Sequence, residues 1–281
     1  MWGASMSRVE THPCFTARCS DYARIHLPVA PACNLQCNYC LRKFSCVNES
    51  RPGVAAKVMQ AQEALEWYLR MKARVPRLTV AGIAGPGDAL ANWQQVRQTL
   101  QLIRREDKDV LFCLSTNGLY LPQYAAELAE LGVDYVTVTV NAIQAVTGAK
   151  IYSYVNDNGK LYQGEEAAQL LLARQLEGIA LLQQHGVQLK INTVAIPGIN
   201  MQEIPLIAQQ MAKLGCRLHN VLPMLPVAGT PFDSIKEPIA EDIDLLRREC
   251  EQWLPQMLHC NRCRADAVGA LVNPVCFKKT K

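Results

Sequence analysis

The sequence contains no apolar run approaching the ~20 residues that a membrane-spanning helix needs. No basic stretch followed by an apolar one opens it, so no secretory leader is visible and a cytoplasmic location is expected. Dense Lys/Arg runs are also missing, apart from Lys278-Lys279-Thr280-Lys281, which reads as a solvated terminus. With a formal net charge of only +4, neither a nucleic-acid nor a membrane partner is expected. There is no linker-like composition and no internal repeat beyond a βα unit. Hydrophobic residues at 49% and charged residues at 19% leave no signature of disorder. One large domain, acting as a monomer, suits 281 residues.

Cysteine is what the chain has in excess: twelve in a sequence with no sign of export. A reducing compartment disfavours disulfides, which turns the expectation toward metal ligation or catalysis.

Short β-type runs alternate with helical ones. Strands are expected at Arg24–Ala30, Arg77–Ala84, Asp109–Ser115, Val133–Val140, Val187–Ile196 and Cys216–Leu222. Between them, Ile204, Ile207, Ala208, Met211 and Leu214 recur at helical spacing, and Gly215 follows at the C-cap. Leu172, Leu176 and Ile179 do the same in 165–185, as do Leu121, Ala125, Leu128 and Leu131 before Gly132. Six βα units predict an α/β fold with a parallel sheet curled or closed into a TIM-like barrel, partial or near-complete. Residues 1–23 and 256–281 form cysteine-bearing extensions to a barrel over 24–255. Residues 143–163 read as an extra loop, a candidate lid.

Chemistry in such barrels gathers at the C-terminal strand ends. Cys33-Asn34-Leu35-Gln36-Cys37-Asn38-Tyr39-Cys40, directly after the first strand, is a C-x3-C-x2-C run. Three thiolates on one loop can hold three irons of a [4Fe–4S] cubane and leave the fourth open. A structural zinc site more often uses C-x2-C pairs and four ligands, and a ferredoxin run supplies its fourth cysteine locally. The run resembles the radical SAM superfamily, in which the open iron binds S-adenosylmethionine (SAM) and passes an electron to its sulfonium. Gly85-Pro86-Gly87-Asp88 falls where that superfamily sets a glycine-rich loop against the SAM amino group. Ser115-Thr116-Asn117-Gly118 closes the third strand. Thr137, Thr139 and Asn141 alternate with Val136, Val138 and Val140. Lys190 and Asn192 likewise oppose Ile191, as a polar lumen wrapped by helices requires. Asn117, Thr139, Asn141 and Asn192 are thus candidate cofactor contacts beside the glycine loop.

His26 and Cys113 share the inward face on alternate strands and converge in one barrel layer. Singly each is an ordinary core residue; together they suggest a second metal site. Cys260-Asn261-Arg262-Cys263 supplies two ligands and needs partners. Cys46, just beyond the first cysteine loop, is one candidate; a zinc or disulfide staple of the tail is the alternative. Cys216, Cys250 and Cys276 lack company and read as bland.

Several segments together resemble the NifB family, radical SAM enzymes of nitrogenase cofactor biosynthesis. They are His12-Pro13-Cys14-Phe15, His26 through Pro31, the three-cysteine loop, Arg42 through Val54, Ala84 through Asp88, Ser115 through Leu119 and Cys260 through Ala267. The early stop after the last of these resembles a stand-alone form without a fused carrier domain. The resemblance implies that Cys33, Cys37 and Cys40 hold the SAM cluster. It implies that Cys14, His26 and Cys113 hold one substrate [4Fe–4S] cluster, and Cys46, Cys260 and Cys263 another, with Cys19 as a rival to Cys14. Glu49, Arg51, Arg264 and Asp266 are implied to handle protons or support the ligands. The implied reaction fuses the two clusters around a SAM-derived carbide, adds a sulfur, and yields an eight-iron precursor. Implied partners are a reductant protein, cluster donors and cofactor carrier or scaffold proteins. Two other classes stay open: a radical SAM enzyme whose auxiliary clusters serve an organic substrate, and a non-enzymatic iron–sulfur carrier.

Overall fold

The computed structural model describes residues 11–16, 19–41 and 54–271. Its centre is a seven-stranded curled sheet. Five parallel pairings link β1 (Ala23–His26), β3 (Leu78–Ile83), β4 (Leu111–Thr116), β5 (Val133–Thr139), β8 (Gln188–Ala195) and β9 (Leu218–Pro223) in that order. β10 (Val268–Ala270) adds an antiparallel edge against β1. All six expected strands are present, the first stopping at His26, and the sheet forms a partial barrel.

Helices cover the outer face, because one face of each strand is apolar. Ile25, Ile83, Phe112, Leu114, Val136, Val138, Leu189 and Ile191 share one buried cluster with residues of α1 (Ala61–Arg74), α2 (Trp93–Glu106), α3 (Leu121–Glu130), α6 (Ile204–Lys213) and α7 (Ala240–Glu251). α2 shows the rule: Trp93, Val96, Leu100 and Ile103 form its buried stripe, with Arg104 and Arg105 in the last turn, where cations suit the helix dipole. The inner face carries Arg24, His26, Cys113, Ser115, Thr137, Thr139, Lys190, Asn192 and Asn220 into a cavity.

Residues 143–163, expected as a lid loop, are ordered secondary structure instead. α4 (Ala145–Ile151) leads into β6 (Tyr152–Asp157) and β7 (Lys160–Tyr162), and the long α5 (Gly164–Gln184) follows. β6 pairs on its other edge with β2 (Leu35–Cys37), which lies inside the cysteine loop. The supposed lid is therefore the scaffold of that loop.

Among the described residues no helix is long and apolar enough to cross a membrane.

Candidate functional site

The three-cysteine loop is fixed from several sides. Leu35 and Gln36 pair with Val155 and Tyr154 of β6, and Asn38 N–H donates to the Ile151 carbonyl at 2.8 Å. Gln36 turns back on its own loop, its Nε2 donating to the Cys37 carbonyl at 3.0 Å and the Cys40 carbonyl at 2.8 Å. This gathers Cys33, Cys37 and Cys40, none of them in a disulfide, on the wall of a cavity of about 310 Å³. That is the lower end of the usual ligand-site range.

Across from them lies the glycine loop. Gly87 N–H donates to the Ala30 carbonyl at 2.6 Å, and a Cβ on Gly87 would fall 2.0 Å from the Ala32 carbonyl oxygen. No other residue allows this approach. Gly87 and Asp88 line the cavity, whereas Gly85 and Pro86 do not and only shape the turn. Asp88 was expected to face a ligand, yet its carboxylate is already filled. It accepts from the N–H groups of Leu90, Ala91 and Asn117 and from Thr116 Oγ1. Burial pushes its carboxyl up, with those hydrogen bonds opposing. Asp88 therefore clamps the glycine loop to the end of β4.

Asn117 carries that clamp to the cysteines: its Nδ2 donates to Asn34 Oδ1 at 2.6 Å and lies 3.7 Å from Cys33 Sγ. Asn141 is also occupied, donating to the Tyr39 hydroxyl at 2.9 Å and accepting from Val194 N–H at 2.9 Å. Thr139 and Asn192 stand on the cavity wall, Asn192 accepting from Asn220 Nδ2 at 3.1 Å.

The same cavity is lined by Cys14, His26, Cys113, Cys260 and Cys263. His26, Gly82 and Cys113 lie in one row across β1, β3 and β4. The bare Gly82 lets the imidazole lie over it, since a Cβ there would sit 2.9 Å from His26 Cδ2. His26 Nδ1 lies 2.9 Å from the Arg264 carbonyl, an acceptor that puts the ring proton on Nδ1 and leaves Nε2 a bare lone pair. Burial first, and Arg24 second, hold His26 down at about 4, so it is neutral at physiological pH. Cys14 lines this region, while Cys19 packs against Met257 and Leu271. Cys216 and Cys250 lie in the main core, as bland cysteines should. Burial pushes Cys113 up to about 12, against the pull of Lys190. Metal loading there must release protons.

Arg264 and Asp266, expected to handle protons or support the ligands, face one another. Arg264 Nε and Nη2 meet the two carboxylate oxygens at 2.8 and 3.0 Å, and Asp266 Oδ2 also accepts from Ala56 N–H at 2.7 Å. That bidentate pair fixes the turn whose carbonyl orients His26. Cys46, Glu49, Arg51 and Cys276 lie outside the described residues.

Four lumen residues carried no functional expectation. His12 accepts from Cys14 N–H through Nδ1 at 3.0 Å, leaving Nε2 buried and unpartnered. Arg24 reaches Cys263 Sγ at 2.8 Å, and Asn220 Nδ2 reaches Cys260 Sγ at 3.3 Å. Lys190 is buried on the cavity wall. Strand alternation did predict Lys190 inward; for the others only the folded chain brings the contacts together.

The donor set fits iron–sulfur clusters. Among the described residues no three His, Cys, Asp or Glu close on a single metal ion. A cubane does not ask for that, because each cysteine binds its own iron and the thiolates stand apart. Asn34 Nδ2, buried beside Cys33 without a partner, is a donor that a cluster or its ligand would satisfy.

The model of the radical SAM superfamily matches residues 27–211. The chain belongs to the radical SAM superfamily. Membership implies a [4Fe–4S] cluster and SAM. Within the superfamily the chain is similar to the FeMo cofactor biosynthesis protein NifB of Klebsiella pneumoniae, 46% identical over 269 residues, covering 94% of this chain and 58% of that protein. The Chlorobaculum tepidum NifB is 44% identical over 264 residues, covering 94% and 62%. This radical SAM chain thus spans about six tenths of the length of these curated relatives. In fold it is similar to Streptococcus suis SuiB (TM-score 0.59, 14% identity, 84% of this chain and 49% of that one). It is likewise similar to methylornithine synthase PylB (TM-score 0.56, 12% identity, 90% and 76%).

Proposed function

We propose that this radical SAM chain acts in nitrogenase cofactor biosynthesis, fusing two [4Fe–4S] clusters, taken as substrate, into an eight-iron core with a SAM-derived carbide and one added sulfur. One observation carries the reading. A single cavity is lined by the three-cysteine loop and by a second donor set, Cys14, His26, Cys113, Cys260 and Cys263. A radical SAM enzyme whose auxiliary clusters serve an organic substrate shares such a donor set, so the identity of the product separates the two readings. The similarity to NifB supports the first.

When bound at Cys33, Cys37 and Cys40, the resident cluster supplies one electron for reductive cleavage of SAM. The chain's own part is positional. Gln36 holds the thiolates on one loop, Asp88 and Asn117 join that loop to β4, and Asn34 Nδ2 offers a free N–H donor. His26 presents a bare Nε2 to an iron of a substrate cluster, with Cys14 and Cys113 as its companions. Cys260 and Cys263 serve the other cluster together with Cys46. Three ligands per substrate cluster leave irons open to new bonds and let the product depart. Glu49 and Arg51 are proposed to handle protons. Cluster donors, a reductant protein and cofactor carrier or scaffold proteins complete the cytoplasmic setting.

The test is anaerobic turnover with dithionite and SAM, reading 5′-deoxyadenosine, S-adenosylhomocysteine and a chelated product that activates cofactor-deficient nitrogenase. His26→Ala is expected to keep deoxyadenosine formation and lose the activating product. A wild-type chain that cleaves SAM yet yields no activating species overturns the reading.

A further inference from the structure

Lys190 stands at the middle of β8, in register with Thr137 of β5 on one side and Leu218 of β9 on the other. The residue is only 9% exposed and lines the same lumen as Cys14, Cys113, Cys260 and Cys263. Taking an ammonium out of water costs several kcal/mol unless something anionic repays it. No described acceptor or carboxylate does so. The groups whose charge bears most on Lys190 are those four cysteines. Of the other cations on the cavity wall, Arg24 is committed to the carbonyls of Gly269 and Ala270 and to Cys263 Sγ, and half-buried Arg262 to the Pro223 carbonyl and Glu237, and both add to the positive field. The one described carboxylate on the cavity wall, Asp88, is filled by Thr116, Asn117, Leu90 and Ala91. The lumen therefore carries two buried cations and no free described anion.

We infer that Lys190 is the fixed counter-charge for the anionic iron–sulfur cargo of this lumen, standing between the cluster of Cys14 and Cys113 and that of Cys260 and Cys263, and that its ammonium sets how tightly and at what potential those clusters are held. The inference rests on the proposed function and deepens it. A [4Fe–4S] core at its 2+ level carries a net charge of −1 with three thiolates and of zero with two thiolates and a neutral histidine, and each becomes one unit more negative on one-electron reduction. An ammonium offers three N–H donors, and hydrogen bonds to sulfur together with net charge tune cluster potentials. Lys190 thus favours both retention and reduction of the cargo. The SAM cluster, on the loop held by Gln36 and β6, has its own supports and is not the target.

Lys190→Met and Lys190→Gln remove the charge at similar length, and Lys190→Arg keeps it. Each protein is reconstituted anaerobically with iron and sulfide. Iron per chain, the midpoint of each paramagnetic signal in a dithionite titration, and thermal melting of the cluster-free protein are then read. Both neutral variants are expected to melt no lower than wild type, since they discharge a buried unpaired cation. Their iron is expected to fall toward one cluster's worth, about four atoms per chain, with the SAM-responsive signal retained. Whatever auxiliary signal remains is expected to shift to a more negative midpoint, and Lys190→Arg to restore both. Neutral variants with wild-type iron and unshifted midpoints overturn the inference alone. A wild-type chain that never holds more than the SAM-responsive cluster overturns the proposed function as well.

Discussion

The backbone N–H of Asn117 donates to Asp88 Oδ2 at 2.6 Å, joining the loop after β3 to the end of β4. Because Asn117 also donates to Asn34, one buried carboxylate supports the cysteine loop at second hand. Asp88→Asn keeps the volume but turns an amide N–H toward the donors at Oδ1 or Oδ2. Leaving those buried donors unmatched is expected to cost about 1–3 kcal/mol and to weaken SAM binding. Calorimetric titration of the reconstituted protein with SAM and thermal melting check both halves. Wild-type affinity in a protein of wild-type stability sinks the clamp.

Gly82 lies between His26 and Cys113 in the same row of the sheet, and a methyl group there meets His26 Cδ2 at 2.9 Å. Gly82→Ala is expected to cost about 1–3 kcal/mol, as overpacking does, and to push the imidazole off its place. The histidine-nitrogen coupling that the proposed ligation by His26 gives in pulsed paramagnetic spectra of the reconstituted protein should vanish, while 5′-deoxyadenosine formation continues. A coupling that survives unchanged would show that the imidazole has room to spare.

The barrel was legible because its strands pair an apolar outer face with a polar inner one, so alternation gave both the strand and its lumen side. Thr137, Thr139, Lys190 and Asn192 all stand on the cavity wall as that alternation requires. β10 was not legible: three residues pairing antiparallel at an edge leave no periodicity. β6 and β7 were misread as a lid, although the signal was present. Asn158 and Gly159 take φ of 52° and 90°, the left-handed pair of a tight hairpin turn, between Tyr152–Asp157 and Lys160–Tyr162. The cysteines were legible by spacing. The state of their neighbours was not, because Arg24 against Cys263 and Arg264 behind His26 are separated by 239 and 238 residues in sequence.

Gln36 is the only side chain described as donating to both the Cys37 and Cys40 carbonyls, at 3.0 and 2.8 Å. Gln36→Ala removes both bonds without emptying the core, at about 1 kcal/mol each. The SAM cluster is expected to lose its iron to a chelator up to roughly thirtyfold faster, the full scale of those two bonds, with thermal melting of the apoprotein lowered by about 4–8 °C. Stopped-flow absorbance with bathophenanthroline reads the rate. An unchanged rate would leave β6 alone as the loop's support.

His219 has no exposed surface, its Nε2 lies 3.0 Å from Thr193 Oγ1, and burial holds it down at about 4. Unfolding below the ordinary histidine value of about 6.5 therefore takes up a proton that the folded protein refuses. The stability this group contributes is complete above about pH 6.5 and is lost as pH falls toward 4. Between pH 7.5 and 5.5 the loss amounts to about 1 kcal/mol for this one histidine. Urea unfolding of the cluster-free protein at both pH values, in wild type and His219→Gln, isolates it. The variant is expected to lose less stability than wild type over that interval by about the same amount. Equal losses in the two proteins would mean that His219 is protonated inside the fold, hydrogen-bonded as a cation, and that the acid sensitivity of the chain comes from elsewhere.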